Sequence, residues 1–175
     1  MEDQKPASYQ VVVTGYGPFM SIKENPSGEI AQLVAKNLPS FFGDQSEVKL
    51  LHSAVIVVEK DEVDKEIEII SRKIQANRIA NPRDRYLLVH LGVAGSLPHD
   101  VLNLETRCFN AKCFENQNSY KAGLRSLIED QYAVGATYTS PVKLYEIADR
   151  SPRKDTHPKL VLSYDPGEYL CNYIL

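Results

Sequence analysis

The side chains best suited to covalent or metal chemistry in this 175-residue sequence are three cysteines, Cys108, Cys113 and Cys171, and four histidines, His52, His90, His99 and His157. The cysteines are odd in number and hold no CxxC pair, and the histidines show no metal-ligand spacing. Neither a disulfide framework nor a zinc site is indicated. A single cysteine is more often a small buried hydrophobe than a reagent, but Cys171 has a different setting. It follows Asp165-Pro166-Gly167-Glu168-Tyr169-Leu170, a turn that leads from the apolar strand Leu160–Ser163 into a helix. Free backbone N–H groups and the positive end of a helix lower a thiol's pKa and can hold an oxyanion. A cysteine at a strand–turn–helix junction is therefore a candidate nucleophile for acyl transfer.

The other chemistry-bearing residues have blander settings. Glu105, in Leu104-Glu105-Thr106-Arg107, reads by position alone as a surface carboxylate. His90 lies inside an apolar strand and reads as a satisfied core residue, while His52, His99 and His157 read as loop or edge residues. The loop Thr14-Gly15-Tyr16-Gly17-Pro18-Phe19 follows a strand directly and invites a dinucleotide-binding reading. Its residues reject that reading: Met20 stands at the third glycine position, Pro18 interrupts the turn, and the next helix starts well downstream. The loop instead presents Tyr16 and Phe19 at a strand end, where aromatic faces can wall an apolar slot.

The elements that must position these residues alternate in type. Tyr9–Thr14 is a valine-rich strand, Gly15–Asn25 a loop, and Pro26 opens a helix with Ile30, Leu33, Val34 and Leu38 on one face, ended by Pro39. Val48–Val58 gives one or two strands, and Asp61 starts a charged helix with Val63, Ile67, Ile70 and Ile74 at helical spacing. Asn81-Pro82 breaks the chain before the strand Tyr86–Leu91. From Pro98 to Tyr120 the pattern loosens into an irregular, site-building stretch with a strand over Val101–Leu104 leading to Glu105. Ala122–Gln131 and Tyr138–Arg150 read as short helices, and Ser151–Pro158 as a turn. These alternations predict a single α/β domain: three α/β/α layers around a largely parallel sheet, with functional residues at the carboxyl ends of strands.

Composition narrows the classes further. A 43% hydrophobic and 25% charged chain is ordinary for a globular protein, and a formal charge of −3 offers no basic footprint for nucleic acid. The first ten residues lack the apolar stretch of a signal peptide, and no apolar run approaches the roughly 20 residues that cross a bilayer, so a cytoplasmic protein is expected.

Three separated segments resemble one family, pyroglutamyl peptidase I. They are Val13-Thr14-Gly15-Tyr16-Gly17-Pro18-Phe19 with Asn25-Pro26-Ser27; His90-Leu91-Gly92-Val93-Ala94-Gly95 with Leu104-Glu105 and Asn110; and Ser163-Tyr164-Asp165-Pro166-Gly167-Glu168-Tyr169-Leu170-Cys171-Asn172. The resemblance implies a phosphorylase/hydrolase-like fold with a mixed sheet and a cysteine omega peptidase that removes N-terminal pyroglutamyl residues from peptides, without cofactor or metal. It makes Cys171 the nucleophile, Glu105 the acid that orients a histidine, and Tyr16 and Phe19 the lining of the lactam pocket. Three departures accompany it. Tyr16 replaces a common Phe. Pro166 replaces a usual Ala and removes a backbone N–H from the nucleophile turn. The family's histidine lies beyond the cysteine, whereas four residues follow Cys171 here. The expectation is thus a domain over residues 1–175 with its C-terminal part missing, inactive by itself. The competing expectation is a catalytically dead paralogue that binds pyroglutamyl peptides.

Overall fold

The computed structural model describes residues 8–19, 21–42, 47–94, 98, 100–111, 131–133, 135–150, 158–166 and 170–174. It is an α/β protein with parallel sheets, and it divides into two compact units, Met1–Val93 and Ala94–Leu175.

The first unit is built on β1 (Tyr9–Tyr16), flanked by β2 (Val48–Ile56) and β3 (Arg85–His90) in the parallel order β2-β1-β3. The valine run predicts this central position, since a strand covered on both faces needs apolar side chains without alternation. Val11 and Val13 pack with Ala31 and Leu38 of α1 (Pro26–Phe42). Strand alternation turns Val12 to the other face, where it is fully buried. His52 of β2, the register partner of Val12, bonds to Glu66 and Lys73 of α2 (Lys60–Ala80).

Two sequence boundaries need correction here. Pro39 does not end α1, which continues to Phe42. In the last turn a proline forfeits only one intrahelical bond, and there the Ser40 hydroxyl donates to the Asn37 carbonyl at 2.7 Å while buried Leu38 anchors the turn. The stretch Val48–Val58 gives one strand that ends at Ile56, with its register against β1 shifted between Val11 and Val12.

The start of α1 is fixed by the motif Asn25-Pro26-Ser27. Asn25 caps the helix, its Oδ1 accepting from the Ser27 N–H at 3.1 Å, and its Nδ2 donates to the Gly17 carbonyl at 2.9 Å. The Tyr16 N–H in turn donates to Ser27 Oγ at 3.0 Å. This draws the helix so close to the strand end that a Cβ on Gly15 would lie 2.2 Å from the Ser27 carbonyl oxygen. Gly15 thus permits helix–strand contact, a role unrelated to phosphate binding.

At the opposite end of β1 lies a paired polar cluster. Gln10 Nε2 donates to Ser8 Oγ at 2.8 Å and to Asp84 Oδ2 at 2.7 Å, and Asn77 Nδ2 donates to Asp84 Oδ2 at 3.1 Å and to the Tyr86 hydroxyl at 3.0 Å. Burial works against the Asp84 carboxylate, but donors on Asn77, Gln10 and Ser8 together outweigh it and hold the carboxyl below its usual range.

The second unit pairs β4 (Val101–Glu105) with β7 (Lys159–Ser163) in parallel, and β5 (Arg107–Phe109) with β6 (Thr137–Thr139) antiparallel. α3 (Leu144–Arg150) packs on β7, and α4 (Leu170–Ile174) packs on β5. The expected helix over Tyr138–Arg150 is therefore partly wrong. Thr137-Tyr138-Thr139 has the β-branched and aromatic character of a strand, and the helix starts only at Leu144, after the Ser140-Pro141 break. The irregular stretch likewise contains the short strand β5. The helix expected over Ala122–Gln131 falls almost wholly outside the described residues, with Gln131 in a turn. No helix of the described residues is long and apolar enough to cross a membrane.

Candidate active site

The parallel pair β4 and β7 ends on one side with Glu105 and Ser163, which are register partners. Parallel strands present their carboxyl ends together, so whatever follows each strand shares one edge of the sheet. After β4 comes the Thr106-Arg107 corner, and after β7 the Tyr164-Asp165-Pro166 turn, with Cys171 as the second residue of α4.

The two strand exits are tied to each other residue by residue. The Thr106 N–H and its Oγ1 both donate to the Ser163 carbonyl, at 2.9 and 2.8 Å. Arg107 Nε donates to the next carbonyl, Tyr164, at 2.7 Å. Asn110 is nearly fully buried. It donates to the Tyr132 carbonyl at 2.9 Å and accepts from the Gly135 N–H at 3.1 Å, which anchors the turn before β6.

Glu105 is half-buried, and its Oε2 is buried without a hydrogen-bond partner among the described residues. Such an atom is rare in a folded protein, because leaving a polar group both dry and unpaired costs about 1–3 kcal/mol. Its charge is felt at Cys171. Burial first, and the Glu105 carboxylate second, push the Cys171 thiol above its ordinary value. This reverses the expectation that the helix end lowers the thiol's pKa. A five-residue helix has a small dipole, and here burial and a neighbouring negative charge outweigh it.

The Cys171 thiol thus feels the charge of Glu105, which the sequence places 66 residues away. Tyr16 and Phe19 belong to the first unit, Tyr16 buried at the end of β1 and Phe19 half-buried in a bridge with Ile22. Both described histidines are also there, and both are structural. His90 Nδ1 bonds to Thr14 Oγ1 at 2.6 Å, and burial holds its imidazole neutral with a pKa of about 4, as fits a satisfied core histidine. His52 joins Glu66 to Lys73. His99, His157, Cys113 and Gly167–Tyr169 lie outside the described residues. Cys108, at the middle of β5, is a half-buried free thiol raised by burial. Among the described residues no three His, Cys, Asp or Glu side chains gather as metal ligands.

Sequence reading passed over Thr106 and Arg107. A guanidinium two residues past the candidate acid, with Phe109 on the same strand and Tyr164 ahead of the candidate nucleophile, is the signal that marks them. Neither a protein-family model nor a curated protein matches this chain.

Proposed function

We propose that Cys171 and Glu105 are the nucleophile and the histidine-orienting acid of a cysteine omega peptidase of the pyroglutamyl peptidase I type, which hydrolyses N-terminal pyroglutamyl residues from peptides. The observation that carries this reading is the buried, unpartnered Glu105 Oε2 in electrostatic reach of the Cys171 thiol. A carboxylate beside a thiol opposes its ionisation unless a cation stands with them. An imidazole bonded to the open carboxylate oxygen satisfies the acid and, once protonated, favours the thiolate.

In the proposed reaction the Cys171 sulfur bonds to the pyroglutamyl carbonyl carbon as the C–N bond to the following residue breaks. The departing amine takes its proton from the imidazolium, and water then hydrolyses the thioester and restores the thiol. The resemblance alone assigns Tyr16 and Phe19 to the neutral lactam ring. It also carries the phosphorylase/hydrolase type of the fold, whose three α/β/α layers are supported by the alternation of strands and helices.

A second reading, a silent protein that binds pyroglutamyl peptides, is favoured by the raised Cys171 thiol and by Pro166 in its turn. One experiment separates the two readings. By itself the 175-residue chain is expected to release little fluorophore from a pyroglutamyl amide. Release is expected to grow with added imidazole and to vanish in Cys171→Ala. Saturable binding of a pyroglutamyl peptide without turnover at any imidazole concentration selects the silent binder, and turnover that survives Cys171→Ala overturns the peptidase reading.

A further inference from the structure

Arg107 is held on three sides. Its Nε donates to the Tyr164 carbonyl at 2.7 Å, its guanidinium carbon lies 5.1 Å from the Phe109 ring centroid, and the Tyr164 ring centroid is 5.7 Å away. A planar cation that donates along one edge while facing aromatic rings has few rotamers left, and lysine cannot reproduce the arrangement. The bond is also placed where it can act. Arg107 is two residues beyond Glu105, and Tyr164 is the first residue after β7 on the way to Cys171. Thr106 already holds the Ser163 carbonyl with two donors, and Arg107 extends that grip one residue further, from the strand onto the turn.

Turns at strand ends are where a chain loosens first. Within the turn Tyr164-Asp165-Pro166, the Asp165 N–H donates to Ser163 Oγ at 3.3 Å, and Ser163 Oγ reaches the Asp165 carbonyl at 3.4 Å. At 2.7 Å the Arg107 contact is shorter than either. It joins the segment bearing the acid to the segment bearing the thiol.

We propose that Arg107 is a positioning residue, which keeps the Glu105 strand end and the Cys171 turn at a fixed separation through its bond to the Tyr164 carbonyl and its packing between Phe109 and Tyr164. This rests on reading Glu105 and Cys171 as an acid–nucleophile pair. Arg107 acts through the turn, not by touching the reacting atoms.

The test is a double-mutant cycle on the intact 175-residue chain. The rate of Cys171 alkylation by iodoacetamide is followed against pH, with the modified residue identified by peptide mass spectrometry. Glu105→Gln removes the negative charge beside the thiol and lowers the pH midpoint of alkylation. If Arg107 fixes the separation, Arg107→Ala shrinks that displacement to less than about half, which is the coupling such a cycle isolates. Arg107→Lys shrinks it as well, because charge without the planar fork does not restore the tie. Circular dichroism and thermal unfolding of each variant show which of the two is folded, and either one suffices. An equal displacement with and without Arg107 overturns the positioning role and leaves the acid–thiol pair standing. No displacement in Glu105→Gln itself overturns the pair, and with it the role of Arg107. Neither result depends on pyroglutamyl turnover, so the peptidase reading is judged separately.

Discussion

The two units each hold a carboxylate at a strand end, and they treat the two in opposite ways. In the first, Asp84 gathers donors from Gln10, Asn77 and Ser8, His90 meets Thr14, His52 meets Glu66 and Lys73, and Asn25 meets Ser27 and Gly17. In the second, the Glu105 carboxylate keeps one buried oxygen unpaired beside a thiol whose ionisation it opposes. Two carboxylates on one small chain thus differ in kind. Asp84 is finished and structural, while Glu105 awaits a donor. If Glu105 is the histidine-orienting acid proposed above, its unpaired oxygen is stability given up for chemistry.

The largest effects that sharpen this contrast are steric. Gly15→Ala sets a Cβ 2.2 Å from backbone in the first unit, and neither the strand nor the capped helix can yield cheaply. A loss of about 3 kcal/mol or more is expected from urea unfolding. Gly135→Ala in the second unit meets open space and is strained only by its φ of 77°, so it is expected to cost about 1 kcal/mol. Similar losses at the two glycines contradict the close approach of α1 to β1.

Next come the two carboxylates. Asp84→Ala strands the amides of Gln10 and Asn77 and is expected to cost about 2 kcal/mol in the same measurement. Glu105→Gln is expected to leave stability unchanged or to raise it by up to about 1 kcal/mol, because it removes a charge that keeps one oxygen buried and unpaired. Equal destabilisation by both substitutions breaks the comparison.

The third effect is pH dependence. His90 is neutral in the fold with a pKa of about 4 against an ordinary 6.5. The unfolded chain therefore binds the proton first as pH falls. The stabilising contribution is complete above pH 6.5 and is lost on the way down to about 4. His90→Gln is expected to flatten the dependence of the thermal midpoint across that window. Asp84, held below its usual 3.8, adds a contribution that is complete above that pH and is lost only as pH falls below it.

What was legible in the sequence follows the strength of its local signals. The Val11–Val13 run, the Pro26 helix start and the Arg85–His90 strand needed only apolar patterning and helix-start chemistry. Pro39 misled because a proline in a last turn costs little. Thr137–Thr139 misled because a three-residue strand is specified by its partner Arg107–Phe109 and not by its own period. Cys171 stood out by its strand–turn–helix setting, and Glu105 only through its resemblance. Its unpaired oxygen, the reversed direction of the thiol's ionisation and the Arg107 tie depend on contacts across 57 to 66 residues, which no local pattern records.

The most direct test of the central claim is covalent capture by a pyroglutamyl chloromethyl ketone, with the labelled residue located by mass spectrometry and a prolyl chloromethyl ketone as the comparison. Alkylation is expected at Cys171, faster for the pyroglutamyl reagent because its ring carries the lactam carbonyl, and abolished in Cys171→Ser. Labelling at Cys108 or Cys113 instead, or equal rates for the two rings, would contradict the claim.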